Sequence, residues 1–181
     1  MKKILILLSC ALLLPALPAV AQTSTQWTLV QSTLTYHITH PIHHVSGISH
    51  AAKGKGICQA GRCNFLIAAP VKSFQTGDSN RDLHMLEATR GAQFPMVIVR
   101  AQFPSSEIDS PTLYADIQVQ FSGQTAQYKH VAFQRTTQDG NVEIKGTIPA
   151  TCSDFKIQRP SFLTVPISNE IPITVDMTWR K

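Results

Sequence analysis

From residue 27 onward the chain is built of short runs in which apolar and polar side chains alternate, each closed by Gly, Pro, Asn or Asp. Eight runs stand out, at 27–38, 53–58, 63–72, 96–103, 112–122, 127–134, 141–150 and 171–180. Several keep a clean period of two, as in Leu34/Tyr36/Ile38, Phe65/Ile67/Ala69/Val71 and Ile117/Val119/Phe121. That period puts alternate side chains on opposite faces, so each run predicts a strand with one buried and one wet face, as in antiparallel sheets. Asp139-Gly140 falls between two runs, where a tight hairpin turn would sit. One stretch departs from the pattern. Residues 78–93 offer Asp82, Leu83, Met85, Leu86 and Ala88, with no β-branched residue before Thr89. They predict one or two helical turns around residues 79–90, capped by Asp78 or Ser79.

About eight strands without an internal repeat predict an all-β domain, either a barrel or a sandwich, which period two alone does not separate. Closing the sheet would remove its exposed edges, and an eight-stranded barrel is about the size that holds one small ligand. The length of 181 residues suits a single domain.

Composition changes this picture mainly at the N-terminus. Lys2 and Lys3 precede an apolar stretch from Ile4 to Leu14, and Ala19-Val20-Ala21 supplies a small-x-small cleavage pattern. Residues 1–21 therefore read as a secretory signal cleaved after Ala21, with residues 22–181 as the mature domain. A lipoprotein box at Leu8-Ser9-Cys10 is the weaker reading, because the apolar run before it is short and continues past it. Removing the two lysines leaves 14 basic against 11 acidic residues. With no basic stripe interleaved with aromatics, nothing points to nucleic acid. Export into an oxidising compartment favours a disulfide between Cys58 and Cys63, across a loop containing Gly61. The alternative of a metal pair lacks the second pair of ligands that zinc needs. Cys152 is then left as a buried thiol.

The segment from Ser73 to Leu86, Ser-Phe-Gln-Thr-Gly-Asp-Ser-Asn-Arg-Asp-Leu-His-Met-Leu, followed by Phe94-Pro95 and a strand, resembles the YceI-like polyisoprenoid-binding family. Thr76, Gly77, Arg81, Asp82 and His84 match that family's motif positions. Trp27 and His40 bracket a first strand like the family's, Phe121-Ser-Gly-Gln-Thr125 resembles its glycine turn, and Ser153-Asp-Phe-Lys-Ile157 resembles a segment near its end. The chain departs from the pattern where an aromatic pair is replaced within 87–93, and where Lys156 stands in place of a glycine. The resemblance implies an eight-stranded antiparallel, lipocalin-like barrel exported to the periplasm. It also implies an apolar tunnel around an isoprenoid, isoprenoid quinone or similar long amphiphile. Tyr36, Ile38, His40, Phe65, Ile67, Ala69, Val97, Val99, Val119 and Phe121 are the candidate tunnel lining. Alternating apolar positions would fill a dry core equally well, and it is the resemblance that favours a tunnel.

Candidate chemistry is sparse. His37, His40, His43, His44 and His50 crowd into one stretch, and imidazoles suit zinc, copper or nickel. The second reading is accordingly a metal-binding stress protein using His40, His43 and His44. Strand geometry argues against one organised site, because His37 and His40 point to opposite faces and Pro41 interrupts the ladder before His43. There is no Gly-x-Ser-x-Gly, no glycine-rich phosphate loop and no carboxylate pair in a catalytic context. Arg81 and Asp82 read better as local hydrogen-bonding residues than as acid–base groups. The expectation is a binding protein with no catalytic cofactor and a lipid-like small-molecule partner.

Overall fold

A computed structural model describes residues 24–162 and 164–181, the side chains of His43 and Phe162 apart. The expected signal segment, 1–21, lies outside the described residues. The strands are β1 (Thr25–His40), β2 (His43–Ser49), β3 (Lys53–Gln59), β4 (Arg62–Pro70), β5 (Met96–Pro104), β6 (Thr112–Phe121), β7 (Gln124–Gln138), β8 (Asn141–Ile148), β9 (Ser161–Phe162), β10 (Val165–Pro166) and β11 (Ile173–Arg180). Among the described residues one α-helix, α1 (Ser79–Ala88), lies in the connection between β4 and β5. It falls where the break in alternation predicts it.

The main sheet runs β11-β8-β7-β6-β5-β4-β3-β1-β2, all neighbours antiparallel, and β1 pairs again with β11 to close it. β2 and β3 share one side of β1. Leu34 pairs with Ser49 and Thr28 pairs with Lys55, so both halves keep a single register. The two together form one stave, and the result is a closed eight-stave barrel in which the far edge of β2 carries only the isolated bridge from Ile48 to Gln75. Within the main sheet β2 is the strand that the alternation does not announce, since it is rich in Ser, His and Gly. Pro41 does not break the ladder before His43, as the sequence suggests it would. It turns the chain with Ile42, and His40 pairs directly with His43.

Two bulges keep the inward face apolar along strands that would otherwise drift out of phase. In β1 the register shifts between Leu29 and Gln31, leaving Val30 exposed on the outside. Inward positions are odd before it (Trp27, Leu29) and even after it (Leu34, Tyr36). In β7 Lys129 and His130 together oppose Asp116. His130 adopts a left-handed φ of 55°, and its amide donates to Asp116 Oδ1 at 3.1 Å. Past that point the buried positions change from Ala126 and Tyr128 to Val131 and Phe133. An inserted residue does this because it reverses the two-residue phase of the strand.

The hairpins follow local turn chemistry. Ala60-Gly61, Ser122-Gly123 and Asp139-Gly140 all have positive φ at both turn residues, as two-residue turns matching the strand twist require. Cys58 and Cys63 are direct cross-strand partners beside the first turn, and they form the disulfide. Inward glycines let rings lie against the wall. A Cβ on Gly56 would come within 2.4 Å of the Phe65 ring, and one on Gly47 within 2.2 Å of Tyr36.

Candidate ligand-binding cavity

The barrel encloses a cavity of about 680 Å³, within the range of small-molecule sites. Its wall comes from the inward positions of the alternating strands. β1 contributes Tyr36 and Ile38, β4 contributes Phe65, Ile67 and Ala69, β5 contributes Val97 and Val99, and β6 contributes Val119 and Phe121. These nine are the lining residues expected from the sequence. His40 is not among them. It is buried beneath the rim, where Nε2 donates to the Val165 carbonyl at 3.2 Å and Nδ1 accepts from the Ile42 amide at 3.4 Å. It is a structural anchor for β10, not part of the tunnel wall.

One end is closed by aromatics. Phe65 stacks on Phe103 at 5.5 Å between centroids, meets Trp179 edge-on at 4.9 Å, and lies 6.3 Å from Trp27. Both tryptophans of the chain therefore sit at the floor. This is the end at which the disulfide hairpin and the last residues of β11 lie.

At the opposite end α1 covers part of the mouth. Arg81, His84, Met85 and Ala88 line the cavity, and their spacing of three, four and seven places them on one helical face. The motif residues build the start of this helix. Asp78 caps it, accepting from the amides of Asn80 and Arg81 at 3.0 and 3.1 Å. Asp82 Oδ1 accepts from the Thr76 amide and hydroxyl at 2.9 and 2.6 Å, and Arg81 Nε donates to Thr76 Oγ1 at 3.2 Å. Gly77 supplies the turn with φ 82°. His84 pairs with Glu87 across one helical turn at 3.2 Å, both well exposed. Burial pushes the Tyr36 phenol up to about 12, with the Asp82 carboxylate adding to the rise and Arg81 opposing it. Tyr36 is thus a protonated donor at the mouth at neutral pH.

The helix is tied to the wall by a second motif. Phe94 packs so tightly over the Ser122-Gly123 turn that a Cβ on Gly123 would lie 2.5 Å from its ring. Arg90 sits 5.1 Å over the same ring and donates to the Ser122 carbonyl. The resemblance-bearing segments around Phe94 and Gly123 are therefore contact partners of each other.

The rest of the mouth is formed by the connection from β8 to β11. Phe155, 1% exposed, meets Phe121 edge-on at 5.3 Å. Asp154 Oδ2 accepts from the Tyr128 hydroxyl at 2.7 Å and the Thr151 amide at 2.9 Å. Burial works against the Asp154 charge, but these hydrogen bonds outweigh it and hold the carboxyl below its ordinary range. The same burial and the Asp154 partner push the Tyr128 hydroxyl up. Lys156 adopts φ 52°, ψ 34°, the left-handed conformation for which a glycine would be suited. Cys152 is a buried free thiol in the cavity wall, raised by burial with Arg159 opposing.

The histidines are dispersed. His37 bonds Ser46 and Thr174, each at 3.0 Å, while His50 reaches Thr33 and the Ser32 carbonyl at 3.1 and 3.2 Å. His44 is exposed, and the side chain of His43 lies outside the described residues. Among the described residues no group of three or more His, Cys, Asp or Glu side chains is placed to hold a metal ion.

Sequence reasoning missed the α1 face around Met85 and Ala88, and the apolar cover of Phe155, Ile157, Ile167 and Ile171. The i, i+3, i+4, i+7 spacing from Arg81 to Ala88 was the available signal for the first. Of the second, Phe155, Ile157 and Ile167 lie in irregular chain without periodicity, and Ile171 opens the alternating run at 171–180.

A closed antiparallel barrel with an apolar interior, one aromatic floor and a helix-covered mouth defines the class. The chain belongs to the YceI-like domain family, whose profile matches residues 26–179. The fold is similar to the crystal structure of Burkholderia cenocepacia BcnA, with a TM-score of 0.69 at 11% identity over 81% of this chain and 95% of that one. A polyisoprenoid-binding domain from Saccharophagus degradans, implicated in plant cell wall breakdown, gives 0.68 at 10% identity over 85% and 97%. The Campylobacter jejuni YceI protein gives 0.51 at 13% identity over 98% and 97%. No curated protein sequence matches the chain.

Proposed function

We propose that the mature chain is an exported, periplasmic binding protein that encloses one long hydrophobic molecule, of isoprenoid, quinone or similar amphiphilic type. The observation that carries this reading is the cavity of about 680 Å³, whose wall is almost entirely aliphatic and aromatic. Burying a hydrocarbon chain there gains about 0.8 kcal/mol per CH₂ without a specific partner for each atom. Among the described lining residues, the polar side chains gather at the mouth. Tyr36 and Arg81 are donors there, beside His84, so an amphiphile would enter chain first and leave its polar head under α1. The Saccharophagus domain supports the isoprenoid class through its description as polyisoprenoid-binding. The role is binding and not catalysis: Asp82 is occupied in holding Thr76, and His84 is paired on the surface.

The two tryptophans provide the test, because both lie at the floor. Delipidated protein titrated with an alkyl chain brominated at its terminal carbon should show saturable fluorescence quenching. A chain brominated beside its head group should bind equally and quench less. Absence of saturable quenching by either probe would overturn the reading.

A further inference from the structure

The chain has eight exposed large apolar side chains among the described residues, and they are unevenly placed. Val30, Leu66 and Tyr114 are scattered over the outer wall, as single exposed apolar residues commonly are. Five belong to the mouth end. Ile42, 65% exposed, forms the β1–β2 turn, and Leu83, 55% exposed, lies on α1 away from its cavity-facing stripe. Val165 stands on β10, Met96 begins β5, and Ile48 lies on the outside of β2 where it bridges Gln75. Two of them have their backbones tied down: His40 holds the Val165 carbonyl, and Ile48 and Gln75 exchange amide-to-carbonyl hydrogen bonds at 2.9 Å. They rise from four separate parts of the rim instead of lining one groove, which suits a broad, fluid surface better than a single protein ridge. Lys72, Lys156 and Arg159 belong to the same end, and none has a carboxylate partner among the described residues.

From this arrangement we infer that the mouth rim is a docking surface for a lipid bilayer. Ile42, Leu83 and Val165 enter the headgroup boundary, and the unpaired cations meet anionic headgroups. The inference deepens the carrier reading and rests on it, because it places the cavity opening against the phase in which a long hydrophobic cargo resides. Docking of this kind would let a chain pass from bilayer to barrel without crossing water.

Vesicle co-sedimentation tests it with the full mature chain. Vesicles of phosphatidylcholine alone and of phosphatidylcholine with phosphatidylglycerol are the probes. We expect binding to the mixed vesicles, weaker binding to the neutral ones, and a loss of at least tenfold in an Ile42→Asp/Leu83→Asp/Val165→Asp variant. Circular dichroism and thermal melting of that variant should match the parent, since all three side chains are exposed. A Lys55→Glu/Arg100→Glu variant, altered on the outer wall away from the rim, should bind like the parent. The inference fails if the parent binds neither vesicle, if the folded rim variant binds normally, or if only the Lys55/Arg100 change abolishes binding. Quenching by the brominated chain without vesicle binding would sink the docking surface and leave the carrier reading standing. Vesicle binding without such quenching would do the reverse.

Discussion

Ala69→Phe separates a hollow barrel from a filled one. Ala69 is 2% exposed on β4, faces the cavity and pairs with Val97. In a barrel packed by its own side chains a new ring must displace neighbours, which costs about 1–3 kcal/mol. Where space is available the same ring occupies it, and the expected change in stability is within about 1 kcal/mol. Phenylalanine is preferable to tryptophan, because an indole N–H without a partner would add its own penalty. The ring would exclude about four methylene groups of a bound chain, roughly 3 kcal/mol at about 0.8 kcal/mol each. That corresponds to a dissociation constant about 200-fold higher. Urea unfolding of delipidated protein reads the first quantity, and titration with the brominated chain reads the second. A variant destabilised by about 2 kcal/mol that still binds the probe like the parent would contradict a continuous cavity at Ala69.

Three further outcomes follow from other parts of the molecule. Lys156→Gly should raise stability by roughly 0.5–1 kcal/mol in urea unfolding, because the left-handed backbone at φ 52° is relieved of its Cβ; a loss of stability would mean that the Lys156 side chain makes a contact worth more than the strain. Phe65→Ala should cost about 3–5 kcal/mol and, where the protein stays folded, allow longer chains to bind, because Phe65 links Trp27, Phe103 and Trp179 at the floor. Asp154, held below its ordinary value of 3.8, contributes stability that is fully present above that value and lost as pH falls through the lower folded-state value. Asp154→Asn should therefore flatten the acid limb of the stability–pH profile, and an unchanged limb would show that other carboxylates set it.

Much of the barrel was legible because its physics is local. Strict alternation on β6 put Ile117, Val119 and Phe121 on one face, which the barrel turns inward, and the Asp139-Gly140 turn followed from its positive-φ preference. β2 was illegible for the opposite reason. His43–Ser49 holds few apolar side chains, and it becomes a strand by pairing along β1 in the register already set by β3. The bulges at Val30 and His130 were equally hidden, since one inserted residue is visible only when a partner strand defines the phase. The candidate site shows the same division. Tunnel residues on strands could be named from alternation together with the family resemblance, whereas the mouth depends on long-range contacts. Tyr128 meets Asp154 from a sequence distance of 26, and Arg90 reaches Ser122 from a distance of 32. His40 was misplaced for a related reason. Its position in β1 suggested the wall, but its partner at Val165 lies 125 residues away and turns the ring beneath the rim.

Native mass spectrometry of the protein, purified without detergent and followed by organic extraction, addresses the contents of the barrel itself. We expect a mass above that of the mature chain by one long-chain amphiphile per protein, lost on extraction and recovered when the chain is offered again. A protein at the bare mass of its sequence that also refuses every long chain offered to it would contradict a carrier and leave a barrel that encloses nothing.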